Sequence, residues 1–284
     1  MEEYLKIAII QPTTDNHVAW NKFSPNYPCM DICEAARTWK QINSGLSYVY
    51  NMIPSAQPDI IVFPELTVAS QYQRLLRKVA STTNSVIITG LDYQSRQGKI
   101  QNRAMVVIPP RWPKDSGSPH GNVFTFGKKH FAHQEGEYVG EENWLPCNSF
   151  YLLDTGAYGK IGFAICADFY DIERYTIYKG RIQHLIILAF NQDIRSFYFL
   201  AESISRLVFC NVVICNTGYY GGSVCFSPYR KEYERYSYKH EGLNLFTSQV
   251  VKLPVLELVK AQRGDEEAQK KFKSIPPGYK YVDA

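Results

Sequence analysis

The sequence predicts one α/β domain built from layered sheets, on three observations. Short apolar runs rich in β-branched residues recur from end to end. Amphipathic stretches at helical spacing lie between them, and no repeat, composition shift or low-complexity linker divides the chain. At 284 residues with 45% apolar content, the chain can bury a sizeable core.

Predicted strands cover residues 5–10, 59–63, 86–89, 104–108, 123–126, 161–165, 185–189, 212–215 and 223–226. Several are continuous Val/Ile/Phe runs without alternation, the pattern of strands covered on both faces. Between them, Trp39, Ile42, Leu46, Val49, Tyr50 and Ile53 share one helical face, and Pro54 stops the run. Phe197, Leu200, Ile204, Leu207 and Val208 repeat the pattern ahead of Asn211, and shorter helices are expected over 72–80 and 172–178. The stretch 109–121, rich in Pro, Ser and Gly, reads as a surface loop. The domain is expected to span 1–258. The polar segment 259–284, which includes Pro276-Pro277-Gly278, is either a frayed end or an arm that docks on a partner subunit.

Charge narrows the function. The net is +4, charged residues make up 20%, and the one dense basic run (Lys270, Lys271, Lys273) sits beside Asp265, Glu266 and Glu267. Nucleic-acid binding needs a clustered basic face, so it is excluded. The start, Met1-Glu2-Glu3-Tyr4, lacks the basic-then-apolar layout of a signal peptide, and no apolar run approaches the roughly 20 residues that cross a bilayer. A soluble, cytoplasmic protein without membrane contact is expected. The cysteine count, seven, is odd and unlike a disulfide framework. Cys210, Cys215 and Cys225 lie in or near apolar stretches as core residues. Cys29 and Cys33, with His17 nearby, fall short of a zinc ligand set, so no metal is expected.

Three reactive side chains stand at strand ends. Glu65 follows Ile60-Ile61-Val62-Phe63-Pro64 and is either a buried general base or a helix N-terminal carboxylate. Lys128 and Lys129 follow Phe126-Gly127 and precede His130; the run is either a solvated corner or a cation facing a buried glutamate. Cys166 follows the 161–165 strand at a turn whose amide groups are expected to lower its pKa, the alternative being a core cysteine. A thiol, a base and a cation together are the parts for acyl transfer through a thioester.

The ordered triplet resembles the nitrilase, or carbon–nitrogen hydrolase, superfamily. Ile7-Ala8-Ile9-Ile10-Gln11-Pro12 is similar to that family's opening strand, Phe63-Pro64-Glu65 to its base motif, and Phe126-Gly127-Lys128-Lys129-His130-Phe131 to its lysine motif, which selects Lys128 over Lys129. Gly162-Phe163-Ala164-Ile165-Cys166-Ala167-Asp168 is similar to its nucleophile motif, and Asn216-Thr217-Gly218 to a later turn.

The resemblance implies a four-layer α-β-β-α sandwich of two mixed sheets, a homodimer or higher homo-oligomer, and no cofactor. It implies hydrolysis of a non-peptide C–N bond in a small amide or carbamoyl compound by Glu65, Lys128 and Cys166. A second carboxylate is expected at Glu137, in preference to Glu135, because Gly136-Glu137-Tyr138 is similar to a family triplet. Tyr138, Ala167, Phe169, Tyr170 and Asn191 are expected around the substrate, with a backbone amide near Ala167 at the oxyanion. Cys166-Ala167-Asp168 fits amidase-type branches rather than the nitrile-hydrolysing one. Tyr170 stands where an arginine is frequent, and Arg206-Leu207-Val208 replaces a helix motif. Acyl transfer to an acceptor other than water, and an idle module used for assembly or regulation, are the alternative functions.

Overall fold

The computed structural model describes residues 1–20, 28–113, 118–137 and 139–283, apart from the side chains of Gln134 and Glu137. Its strands are β1 (Tyr4–Gln11), β2 (Ile60–Val62), β3 (Val86–Gly90), β4 (Gln94–Arg96), β5 (Lys99–Gln101), β6 (Arg103–Ile108), β7 (Asn122–Gly127), β8 (Leu152–Asp154), β9 (Lys160–Ile165), β10 (His184–Ala189), β11 (Asn211–Asn216), β12 (Val224–Phe226), β13 (Tyr236–Lys239) and β14 (Thr247–Pro254). Two six-stranded mixed sheets result, in the orders β14-β1-β2-β3-β6-β7 and β13-β12-β11-β10-β9-β8, with β4 and β5 forming a separate hairpin. Each large sheet has parallel central pairs and antiparallel flanks.

Strand periodicity sorts the side chains into layers. Leu5, Ile7, Ile9, Ile60, Val62, Val86 and Ile88 join the core shared with the second sheet, whereas Ala8, Ile10, Ile61 and Ile87 face the opposite way. The Cys215 thiol on β11 reaches the backbone oxygens of Ile10 and Val62, which places it between the sheets. Helices Ile32–Tyr50 and Leu76–Thr83 cover the outer face of the first sheet through Ile42, Leu46, Val49, Leu76 and Ala80. Helices Ile172–Tyr178 and Ile194–Ile204 cover the second through Tyr175, Tyr178, Phe197 and Ala201. The architecture is the four-layer α-β-β-α sandwich.

The first long helix starts earlier than its apolar stripe, because Asp31 caps it by accepting from the amides of Cys33 and Glu34. Its buried stripe ends at Val49, so Tyr50 and Ile53 are exposed rather than packed. Beyond Leu258 the chain forms helices Leu256–Gln262 and Glu266–Lys271, which pack through Leu258, Ala261, Ala268 and Phe272 on Phe209. The Val282 amide then bonds the Gly180 carbonyl at 2.9 Å, so this segment lies along its own chain. Among the described residues, no helix is long and apolar enough to cross a membrane.

Candidate active site

Glu65, Lys128 and Cys166 stand just past the C-terminal ends of β2, β7 and β9, the first two on one sheet and the third on the other. Each position is built by its backbone. After Pro64 the chain turns sharply, with Leu66 at φ 52°, and Gly90 packs directly beneath that bend. A Cβ at Gly90 would lie 2.4 Å from the Glu65 Cα and 2.5 Å from the Leu66 nitrogen, so only glycine admits this approach. The Lys128 amide donates to the Asn102 carbonyl at 2.9 Å, and its own carbonyl accepts from the Cys147 amide at 3.0 Å. Cys166 opens a 3-10 turn, Cys166–Tyr170, at φ 42°, a costly conformation for a non-glycine residue and one that clusters at functional sites.

The side chains converge. Lys128 Nζ donates to Glu65 Oε1 and to Glu135 Oε2, both at 2.9 Å. Asn102 Nδ2 bridges the same two carboxylates, at 2.8 Å to Glu65 Oε1 and 2.9 Å to Glu135 Oε1. The Ala132 amide adds a bond to Glu135 Oε2 at 2.9 Å. Glu65, Lys128 and Glu135 are all buried, so removing the lysine would strand two carboxylates without a counter-charge, whereas removing one glutamate leaves the lysine paired with the other. Among the described residues, the second carboxylate beside Lys128 is Glu135; the side chain of Glu137, expected there from the sequence, and all of Tyr138 lie outside the described residues. Glu135 lies in the short 3-10 segment His133–Glu137, which brings its carboxylate back onto the lysine.

Burial sets the protonation chemistry. Glu65 is pushed up by desolvation against the opposing pull of Lys128, toward a proton-accepting range. Cys166 shares its cavity with Glu65, Lys128 and Phe190, and the Lys128 charge and the Phe190 backbone amide favour its thiolate. Its pKa is nevertheless raised, first by burial and then by the Glu65 charge, both outweighing Lys128 and the amide. The expected depression by turn amides is therefore reversed, and burial favours the thiol form of Cys166. Lys128 is held well above its ordinary value, because Glu135 and Glu65 outweigh its desolvation.

Asp168 fastens the site together. Its buried carboxylate accepts from the Lys129 amide at 3.0 Å, the His130 amide at 2.9 Å and Arg174 Nη2 at 3.0 Å. Arg174 also donates to the Phe163 carbonyl at 2.8 Å and lies over the Phe150 ring. Arg174, in the first turn of the following helix, is a partner of Asp168 that sequence spacing did not reveal. Lys129 points outward to Asp171 and Glu173.

A cavity of about 280 Å³ opens on Cys166, Glu65, Lys128 and Glu135, walled by Trp20, Leu66, Tyr93, Phe190, Tyr219 and Tyr220, with His17 and Gln192 also lining it. Three expected substrate contacts are displaced. Phe169 is fully buried against Tyr175 and Phe197. Tyr170 is 54% exposed and packs on Phe197. Asn191 spends its side chain on the backbone oxygen of Asp193. The tight turn after Cys166 rotates its immediate neighbours away from the nucleophile, while Ala167 stays in the turn itself. Among the described residues, no group of three or more His, Cys, Asp or Glu side chains is placed to hold a metal ion.

No protein-family model and no curated protein matches the sequence. Solved structures do match the fold. A CN-hydrolase superfamily protein of Xanthomonas campestris, solved with an arsenic adduct in its active site, covers 97% of this chain and 100% of its own, with 11% identity and a TM-score of 0.64. Saccharomyces cerevisiae Nit3, of branch 10 of the nitrilase superfamily, covers 93% and 94%, with 15% identity and a TM-score of 0.65. An amidase from Nesterenkonia sp. covers 95% of each chain, with 13% identity and a TM-score of 0.61. A variant of that amidase carries the acetamide moiety of fluoroacetamide on its active-site cysteine, and another holds butyramide. At these identities the likeness establishes the fold, which is that of the nitrilase, or carbon–nitrogen hydrolase, superfamily.

Proposed function

We propose that this chain hydrolyses a non-peptide C–N bond of a small amide through a thioester on Cys166. The observation that carries the reading is the convergence of a buried base, a buried cation and a strained thiol on one cavity. As a substrate carbonyl enters, Cys166 Sγ bonds to its carbon and Glu65 takes the thiol proton. Lys128 Nζ spends two protons on Glu65 and Glu135, leaving the third for the developing oxyanion, and a backbone amide near Ala167 is assigned as the second donor. The C–N bond breaks, and the amine leaves with the proton from Glu65. Water then attacks the thioester, giving its proton to Glu65 and regenerating the thiol and a carboxylic acid. Glu135 and Asn102 keep Lys128 and Glu65 in register.

The amidase among the fold relatives supports small amides as the substrate class. Free thiols at all seven cysteines fit a reducing, cytoplasmic setting. A homodimer is proposed for the outer helical face, where Tyr170, Ile172, Phe199 and Leu207 are exposed. The test is incubation with fluoroacetamide and intact-mass analysis. A single acetamide adduct on Cys166, absent in Cys166→Ala, together with ammonia release from acetamide or butyramide, is expected. Failure of Cys166 to react with any amide would favour an idle module.

A further inference from the structure

The cavity beside Cys166 has an aromatic wall held in place before any substrate arrives. Trp20 meets Phe190 edge to face at 5.5 Å and Tyr93 at 6.0 Å. Phe190 meets Tyr220 at 5.7 Å, and Tyr220 meets Tyr219 at 5.1 Å, again nearly perpendicular. These rings come from four separate segments of the chain, so their contiguity is a property of the site and not of one element's packing. Asp92 anchors one end. Its buried carboxylate accepts from Trp20 Nε1 at 3.0 Å, the Tyr93 amide at 2.9 Å and the Met30 amide at 2.7 Å. Phe190 holds the middle, because it directly follows β10 and lines the cavity with Cys166.

Charge points the same way. Among the described residues that line the cavity, Lys128 is the one lysine or arginine, and it is already shared by Glu65 and Glu135. A substrate carboxylate would meet two glutamates and an aromatic wall, with no further lysine or arginine among the described lining residues to receive it. The volume of about 280 Å³ lies at the small end of ligand pockets, enough for one ring and its amide.

We propose that the substrate is an uncharged carboxamide whose acyl group ends in a single flat aromatic or heteroaromatic ring, and that acyl groups bearing a carboxylate are excluded. This rests on the amide-hydrolase reading above. The ring is placed on the acyl side because the acyl group stays bonded to Cys166 after the amine departs. Contacts with the wall then assist both halves of the reaction.

The experiment compares kcat/KM for phenylacetamide, butyramide, 4-aminobutanamide and succinamic acid, and measures binding of the same four to the Cys166→Ala protein by quenching of its tryptophan fluorescence. Phenylacetamide is expected to exceed butyramide about tenfold or more in both measurements, and succinamic acid to be the weakest. Tyr219→Leu and Tyr220→Leu, at half-buried positions, are expected to lower the phenylacetamide-to-butyramide ratio severalfold. Equal or better use of butyramide, 4-aminobutanamide or succinamic acid would overturn the proposal while leaving the reaction intact. If no amide turns over, the reaction reading fails, and the binding series on Cys166→Ala still decides the ring preference in either direction.

Discussion

Glu65→Gln keeps the shape of the base and removes its ability to take a proton. Even an unperturbed thiol is only about 3% thiolate at pH 7. Cys166 sits higher than that, because burial and the Glu65 charge both oppose its ionisation. The wild-type reaction therefore has to move the thiol proton to Glu65 in the same step that forms the S–C bond. Losing that transfer is expected to cost about 10²- to 10⁴-fold in kcat/KM for amide hydrolysis, or about 3–5 kcal/mol at about 1.4 kcal/mol per decade. The same substitution removes one of the three causes that push the thiol up, leaving burial and Glu135, so the variant ionises at lower pH than the wild type. Alkylation by fluoroacetamide, followed by intact mass from pH 6 to 9, should then climb about tenfold per pH unit in the variant and more shallowly in the wild type. Lys128 keeps Glu135 as a partner, so the fold should persist, which far-UV circular dichroism checks. Hydrolysis by the variant within tenfold of wild type at pH 7 would refute the role given to Glu65.

Two further outcomes test the frame around the site. Gly90→Ala drives a Cβ into the backbone at Glu65 and is expected to cost about 1–3 kcal/mol, lowering Tm and amide hydrolysis together; an unchanged Tm would mean the bend at Glu65 is not set by that approach. His184 is fully buried, with Nε2 bonded to the Tyr158 carbonyl and Nδ1 accepting from Asn211, and burial pushes its pKa down to about 4. Because the unfolded chain binds a proton near pH 6.5 and the folded one does not until about 4, stability should fall by about 3 kcal/mol as pH drops through that window. Urea midpoints that fall equally in wild type and His184→Gln would contradict this.

The buried strands were readable because apolar runs such as Ile60-Ile61-Val62 have no other stable environment. The strands that sequence missed lie at sheet margins or have one face outward: β14 reads Thr-Ser-Gln-Val-Val-Lys-Leu-Pro, yet pairs with β1 along eight residues. At the site, Glu65, Lys128 and Cys166 were legible as reactive groups closing apolar strands. Glu135 was not, because it reaches Lys128 from a 3-10 segment, held by the Ala132 amide, and not from a strand end. Trp20, Tyr93 and Phe190 carry no short-range signal, being brought together from distant segments, although Phe190 directly follows β10 and shares the strand-end position of the reactive residues. Phe169 and Tyr170 were misplaced by adjacency to Cys166, which a positive φ makes a poor guide.

The grip of Asp168 has a mechanical meaning. The loop carrying Lys128 hangs from one sheet and the turn carrying Cys166 from the other, yet one carboxylate clasps the amides of Lys129 and His130 from beside the cysteine. Any slide of one sheet over the other must therefore break this clasp before the sulfur and the ammonium can part. The two halves of the proposed catalytic apparatus shear together or not at all, and a loop transplanted into this scaffold would have to bring both ends of the clasp with it.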